Sequence, residues 1–198
     1  IYFQQTRRGR RRESTARAFL KPARGRANLK VETEALATRI ELDGKRATGV
    51  TFRQRGTERT VTARREVLLC GGSVNSPHLL QVSGIGAPAH LKLLGIEVRH
   101  ALPGVGENFH DHYVTRMVAH VSGIETLNEA AVGWRLAREA LRYVLFGTGM
   151  LTYSAGNGGG FARSRPGLAA PDIELTFAPA SFADGVNSQL AKEPGMTT

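Results

Sequence analysis

The rhythm of apolar and polar positions changes along the chain, and each change predicts a new element. ALATRIEL (35–42) and RATGVTFRQ (46–54) alternate apolar with polar side chains, as strands with one wet face do. LKVET (29–33) alternates in part, and ERTVTA (58–63) continues the pattern. Asp43-Gly44 carries hairpin-turn chemistry, because a type I′ turn needs positive φ, and Arg55-Gly56 offers a second turn. Residues 29–63 are therefore predicted to form an antiparallel meander. REVLLC (65–70) breaks the alternation, since Val67, Leu68 and Leu69 run together. Such a run predicts a short strand buried on both faces, as in a parallel sheet. It stops at Gly71-Gly72. Ser76-Pro77 then predicts a helix cap with proline at the first helical position, HLLQV continues the helix, and Ser83-Gly84-Ile85-Gly86 ends it.

Helical spacing predicts a short helix over 13–20 that Pro22 and Gly25 end, and another over 88–95. A long helix is predicted over 126–147, with Leu127, Ala131, Trp134, Ala137, Leu141 and Val144–Leu145 on one stripe. YVTRMVAHV (113–121) and DIELTFAPA (172–180) read as strands. Residues 150–164 read as a glycine-rich loop leading to a short strand, and the residues after Phe182 as a loop.

Composition narrows the class. With 198 residues and 41% hydrophobic positions, the chain can bury a core. Cys70 is the one cysteine, which excludes an intrachain disulfide and fits a reducing compartment. No apolar run reaches the roughly 18 residues of a membrane helix, and IYFQQTRRGRRR has no signal-peptide apolar segment, so a cytoplasmic location is expected. The chain begins without Met and reads as a piece of something longer. Charge is uneven: residues 1–65 hold 18 Lys/Arg against 6 Asp/Glu, a balance of +12, and residues 66–198 hold 9 against 11, a balance of −2. That contrast admits an alternative function, a non-enzymatic module binding nucleic acid or another anion through residues 7–65. No zinc spacing, helix-turn-helix pattern or aromatic-rich RNA-binding strand supports it, so no nucleic-acid partner is expected. Cys70 has no recognisable catalytic partner motif, and His110-Asp111-His112 offers two side chains on one face but no third ligand, so no metal is expected. GNGGG (156–160) lacks the Lys-Ser/Thr ending of a phosphate loop. From the residues alone, a strand, glycine turn and helix start near residue 71 mark a place where a ligand approaches the backbone.

REVLLCGGSVNSPHLLQVSGIG (65–86) followed by LKLLGIEVRHALPGVGENFHDH (91–112) closely resembles the glucose–methanol–choline family of flavin oxidoreductases. Residues 72–86 fit the family's Gly/Ser-small-x-x-Ser-Pro-x-aliphatic-aliphatic-x-x-Ser-Gly-aliphatic-Gly pattern throughout. RRESTARAFLKPARGRANLKVETEALATRI, GTGMLTYSAGNGGGFARS and APDIELTFAPASF resemble flanking segments of the same family, so the resemblance spans nearly the whole chain.

The resemblance implies an α/β plus α+β fold: a buried strand and antiparallel meander from the centre of an FAD-binding domain (residues 1–112), joined to part of a substrate-binding domain (113–198). It places Cys70, Gly71, Gly72 and Ser73 beside the ADP half of FAD, and the backbone of Ala37 against the adenine. The family's glycine fingerprint would precede Ile1, and its catalytic histidine would lie beyond Thr198. No catalytic residue is therefore expected in this chain, which by itself should be inactive and without flavin. The longer parent would oxidise a primary alcohol to an aldehyde by hydride transfer to flavin, with an electron acceptor the sequence leaves open. In choline-active members a glutamate stands two positions after the Asp-His pair. Here Val114 takes that place, which implies a neutral alcohol substrate.

Overall fold

A computed structural model of the chain describes residues 6–9, 11–152, 156, 158–183 and 189–198. These group into two units, one of Ala27–Tyr113 and one combining Ile1–Arg26 with Val114–Thr198. Residues 153–155, 157 and 184–188, which belong to the predicted glycine-rich loop and the loop after Phe182, lie outside the described residues.

The N-terminal arm pairs strand β1 (Arg7–Arg8) antiparallel with β2 (Arg11–Arg12). A π-helical stretch, Ala16–Leu20, runs directly into α1 (Lys21–Ala23). Pro22 does not end this helix as its chemistry predicted. It sits in the opening positions of α1, where a missing N–H costs little.

The meander forms as strands β3 (Ala35–Asp43), β4 (Arg46–Gln54) and β5 (Thr57–Thr62), antiparallel in the order β3-β4-β5. Ile40, Gly49, Thr51 and Phe52 are its buried positions. The Thr51 hydroxyl bonds the Glu41 carboxylate at 2.5 Å and the Thr60 hydroxyl at 2.8 Å, so a cross-strand polar ladder accompanies the apolar contacts. The first turn is displaced by one residue. Asp43 pairs with Arg46, which leaves Gly44-Lys45 as the loop, with Gly44 at φ +55. The second turn, Arg55-Gly56, has positive φ at both residues, as type I′ geometry requires. The predicted strand at 29–33 does not form. Glu34 at φ +54 interrupts the extended run, and the Gln54 side chain satisfies the Thr33 carbonyl at 2.8 Å in place of a ladder bond.

Two larger departures follow the meander. Residues 66–70 are irregular rather than a buried strand, with Leu68 and Cys70 exposed. An apolar run is buried on both faces only where neighbouring strands take up its ladder, and no described strand does so. Helix α2 (Gly72–Val82) begins well before Ser76-Pro77, so Pro77 lies inside it. The parallel pairing in this unit joins β6 (Ile85–Gly86) to β7 (His100–Ala101). Between them α3 (Pro88–Leu93) buries Leu91 completely, which stabilises the unit by roughly 1.5–3 kcal/mol.

The other unit is built on strand β8 (Val118–His120), shorter than the predicted 113–121 because residues 111–117 are irregular. The predicted long helix is two: α4 (Leu127–Ala130), opened by a Thr126–Glu129 capping box, and α5 (Gly133–Phe146), ended by Gly147 at φ +65. Strand β9 (Gly158–Ala162) pairs with β10 (Ile173–Phe177), and β11 (Gly195–Thr197) pairs with β8. Asn128 organises this unit. Its amide donates at 2.9 Å to the Ser181 carbonyl and hydroxyl and to the Ala191 carbonyl, and accepts the Ser181 N–H. Every partner is buried or half-buried, so these bonds replace water that folding removed.

Buried Glu139 closes the end of α5. Its carboxylate accepts the Met150 N–H at 2.9 Å and lies 3.3 Å from Arg138 and 4.0 Å from Arg142. The Met150 N–H foremost, then the two guanidinium charges, hold this carboxyl below its ordinary value of 4.5, against the opposing effect of burial. A depressed folded value means that the unfolded chain takes up the proton first. The contribution is complete above pH 4.5 and is lost as pH falls through the folded value. Urea unfolding of the chain should thus show a midpoint that drops below pH 4.5, with Glu139→Gln less stable at neutral pH and less sensitive to acid. Parallel midpoint–pH curves for the two proteins would contradict this.

Candidate functional site

The run from Gly72 to Gly86 folds as a helix followed by a sharp reversal. At the reversal Ser83 is buried. Its hydroxyl accepts the Ile40 N–H at 2.9 Å and donates to the Leu79 carbonyl at 2.6 Å. One side chain thus fixes the end of α2 against the centre of β3. Gly84 follows at φ +86, and its carbonyl accepts the N–H groups of Arg99 at 2.8 Å and His100 at 3.0 Å. A Cβ there would stand 2.5 Å from the Glu97 carbonyl oxygen, so both conformation and space demand glycine. Arg99 reaches back to the Leu42 carbonyl at 2.9 Å, tying the same corner to β3.

The opposite stripe of α2 carries Ser73, Ser76, Pro77, Leu80 and Gln81, at helical spacing, and forms one wall of a cleft of about 810 Å³. The facing wall is the turn Gly104–His110, and His90 of α3 contributes to the rim. Gln81 bridges the walls, donating to the Val105 carbonyl at 3.2 Å. Pro77, lacking an N–H, cannot give the Ser73 carbonyl its usual i+4 helical donor, and both residues line the cleft. Asn108 at φ +57 and His110 add polar side chains opposite. The cleft is apolar at Val74, Leu80, Val105 and Phe109 and polar at Ser73, Ser76, Gln81, Asn108 and His110, a lining of mixed character.

The residues singled out in the sequence do not converge on one cavity. Ser73 lines the cleft. Gly71 and Gly72 open α2, Gly72 at φ +82, and Cys70 precedes them with its thiol exposed. Ala37 pairs with Phe52 and borders a separate recess of about 460 Å³, with Phe52, Arg59 and Val61. Val114 is exposed in the irregular stretch 111–117, so strand alternation does not orient it relative to Tyr113. Asp111 accepts the His112 N–H at 2.7 Å, and no group of three or more metal-binding side chains forms among the described residues. Gln81 and the turn Gly104–His110 were not read as site residues, although both lie in the runs that carry the family resemblance. The stripe 73, 76, 77, 80, 81 was the available signal, hidden by placing the helix start at Ser76.

The sequence pattern of the family described as GMC oxidoreductase matches residues 2–114. An uncharacterised GMC-type oxidoreductase of Mycobacterium bovis is 47% identical over 173 residues, covering 87% of this chain and 32% of that protein. An oxygen-dependent choline dehydrogenase of Staphylococcus saprophyticus is 42% identical over 186 residues, covering 91% of this chain and 32% of that protein. A formate oxidase variant of Aspergillus oryzae superposes with a TM-score of 0.78 at 21% identity, over 88% of this chain and 35% of that one, a likeness of fold. The chain spans about a third of the length of the curated relatives it matches.

Replacing Ser83 by Ala strands a buried Ile40 N–H and should cost about 1–3 kcal/mol in urea unfolding. Gly84→Ala should cost at least as much, because the left-handed φ alone costs about 1–3 kcal/mol and the Glu97 carbonyl must also move. Wild-type midpoints for both variants would show that this corner does not hold α2 in place.

Proposed function

The chain belongs to the GMC oxidoreductase family, and from that premise we propose that it forms part of a longer FAD-dependent enzyme that oxidises a neutral primary alcohol to the aldehyde. The match over residues 2–114, whose central run builds the Ser83–Gly84 corner and the α2 wall, carries this reading. The residues present suit a dinucleotide. α2 opens with backbone N–H groups that no side chain caps and no acidic residue opposes. At Gly72 nothing beyond its chain neighbours and its own helix backbone stands within 4 Å of the place a Cβ would take, which leaves room for a close approach. The recess beside Ala37 offers Phe52 and Val61 as apolar surface for a planar ring, with Arg59 at its edge. Gly71, Gly72 and Ser73 would thus hold the ADP half of FAD, Cys70 would lie beside it, and the backbone of Ala37 would meet the adenine.

When bound, FAD supplies the two-electron acceptor for a hydride from the carbinol carbon. The hydroxyl proton leaves for a base that the family resemblance places beyond Thr198, and the aldehyde remains. This chain's contribution is positioning: the corner at Ser83–Gly84 fixes α2, and α2 presents Gly71–Ser73 in a set geometry. By this account the chain alone is inactive. The alternative reading of residues 7–65 as a nucleic-acid module finds no support in the fold or the relatives.

Substrate class rests on Val114. A quaternary ammonium group buried without a carboxylate or aromatic cage keeps its full desolvation cost. Losing such a partner costs about 2–5 kcal/mol. The longer enzyme is therefore expected to show a higher kcat/KM for neutral primary alcohols than for choline, although relatives named choline dehydrogenases are 41–44% identical. Val114→Glu should raise choline relative to neutral alcohols. Choline as the best substrate of the unaltered enzyme would overturn the assignment.

A further inference from the structure

The N-terminal arm carries a charge arrangement that the flavin reading leaves unused. In its hairpin Arg7 stands opposite Arg12 and Arg8 opposite Arg11, so both cross-strand pairs set like charges against each other. Directly opposed like charges destabilise a strand pair. The helix that follows adds Arg17 and Lys21, and Arg8, Arg11, Arg17 and Lys21 line one recess of about 530 Å³ with Glu13 and Pro22. Glu13 is its one lining carboxylate, and it is committed to Arg8 at 3.2 Å. Among the described residues nothing gives the Arg11 or Arg17 guanidinium or the Lys21 ammonium a hydrogen bond or ion pair. Arg17 lies within the π-helical stretch Ala16–Leu20, a geometry that is rare and frequently marks functional sites. Opposed charges, unpaired cations drawn from the hairpin and the helix, and a shared recess all call for a bound counter-charge of more than one unit.

We propose that Arg8, Arg11, Arg17 and Lys21 form a binding site for a free, small anion bearing more than one phosphate group. Guanidinium forks match phosphate oxygens bidentately, and Lys21 adds a point charge. Glu13 holds Arg8 in place, and the four cations against this one carboxylate leave the recess with an excess of three positive charges. The site is independent of the oxidoreductase assignment, since none of its residues borders the cleft or the recess beside Ala37.

Equilibrium dialysis of the chain against inorganic pyrophosphate tests it. Saturable binding of one pyrophosphate per chain is expected, weakened roughly tenfold by Arg11→Gln and, separately, by Arg17→Gln. Lys92→Gln, an exposed cation on α3 outside the recess, should bind as the unaltered chain does. Circular dichroism checks each variant's fold, and Lys21→Gln replaces either that unfolds. Absent saturation, an equal loss in Lys92→Gln, or binding by this chain but not by the longer protein overturns the proposal. Displacement of pyrophosphate by phosphatidylserine vesicles or by a DNA duplex, at equal phosphate concentration, also overturns it, in favour of a membrane or nucleic-acid surface.

Discussion

One hydroxyl and one carbonyl hold together the corner that sets α2, one wall of the cleft, against the meander. Ser83 joins the last turn of α2 to the Ile40 N–H at the centre of the meander. The Gly84 carbonyl then takes two N–H groups from the strand-like return at Arg99 and His100. Both groups are buried, so neither bond can be exchanged for water without cost. Remove them and α2 loses its angle to the sheet. With it would go the cleft wall made by Ser73, Ser76, Pro77, Leu80 and Gln81, and the orientation of Gly71 and Gly72. The Ser-Gly-aliphatic-Gly end of the family's pattern therefore has a physical reason: the serine is a buried connector, and the first glycine has a conformation and a neighbour that exclude any side chain.

The meander was legible because each of its strands carries its own signal. Alternation around Ile40 and Phe52 and the turn residues at Gly44 and Arg55-Gly56 are local, and local signals survive whatever surrounds them. The run at 65–70 was misread for the opposite reason. Val67–Leu69 can be buried on both faces only if other strands flank them, and none of the described strands does. Pro77 misled in another way. Proline is commonest in a first helical turn, yet here the helix tolerates it in its interior at the cost of one helical N–H donor. The cleft's second wall, Gly104–His110, and the hub at Asn128 depend on partners far along the chain, which spacing alone does not reveal.

The site itself was legible mainly through resemblance. Gly71, Gly72 and Ser73 do open a helix at a glycine turn, but Ala37 borders a different recess and Val114 lies in an irregular stretch. α2 begins without a side-chain cap, and the recess beside Ala37 includes Phe52 and Val61 in its lining.

The most direct measurement is the visible spectrum of the purified longer protein under anaerobic conditions. A bound flavin at one per protein is expected, bleaching when a neutral primary alcohol is added and yielding one aldehyde per flavin. A colourless protein, or a flavin band that no alcohol bleaches, would contradict the account.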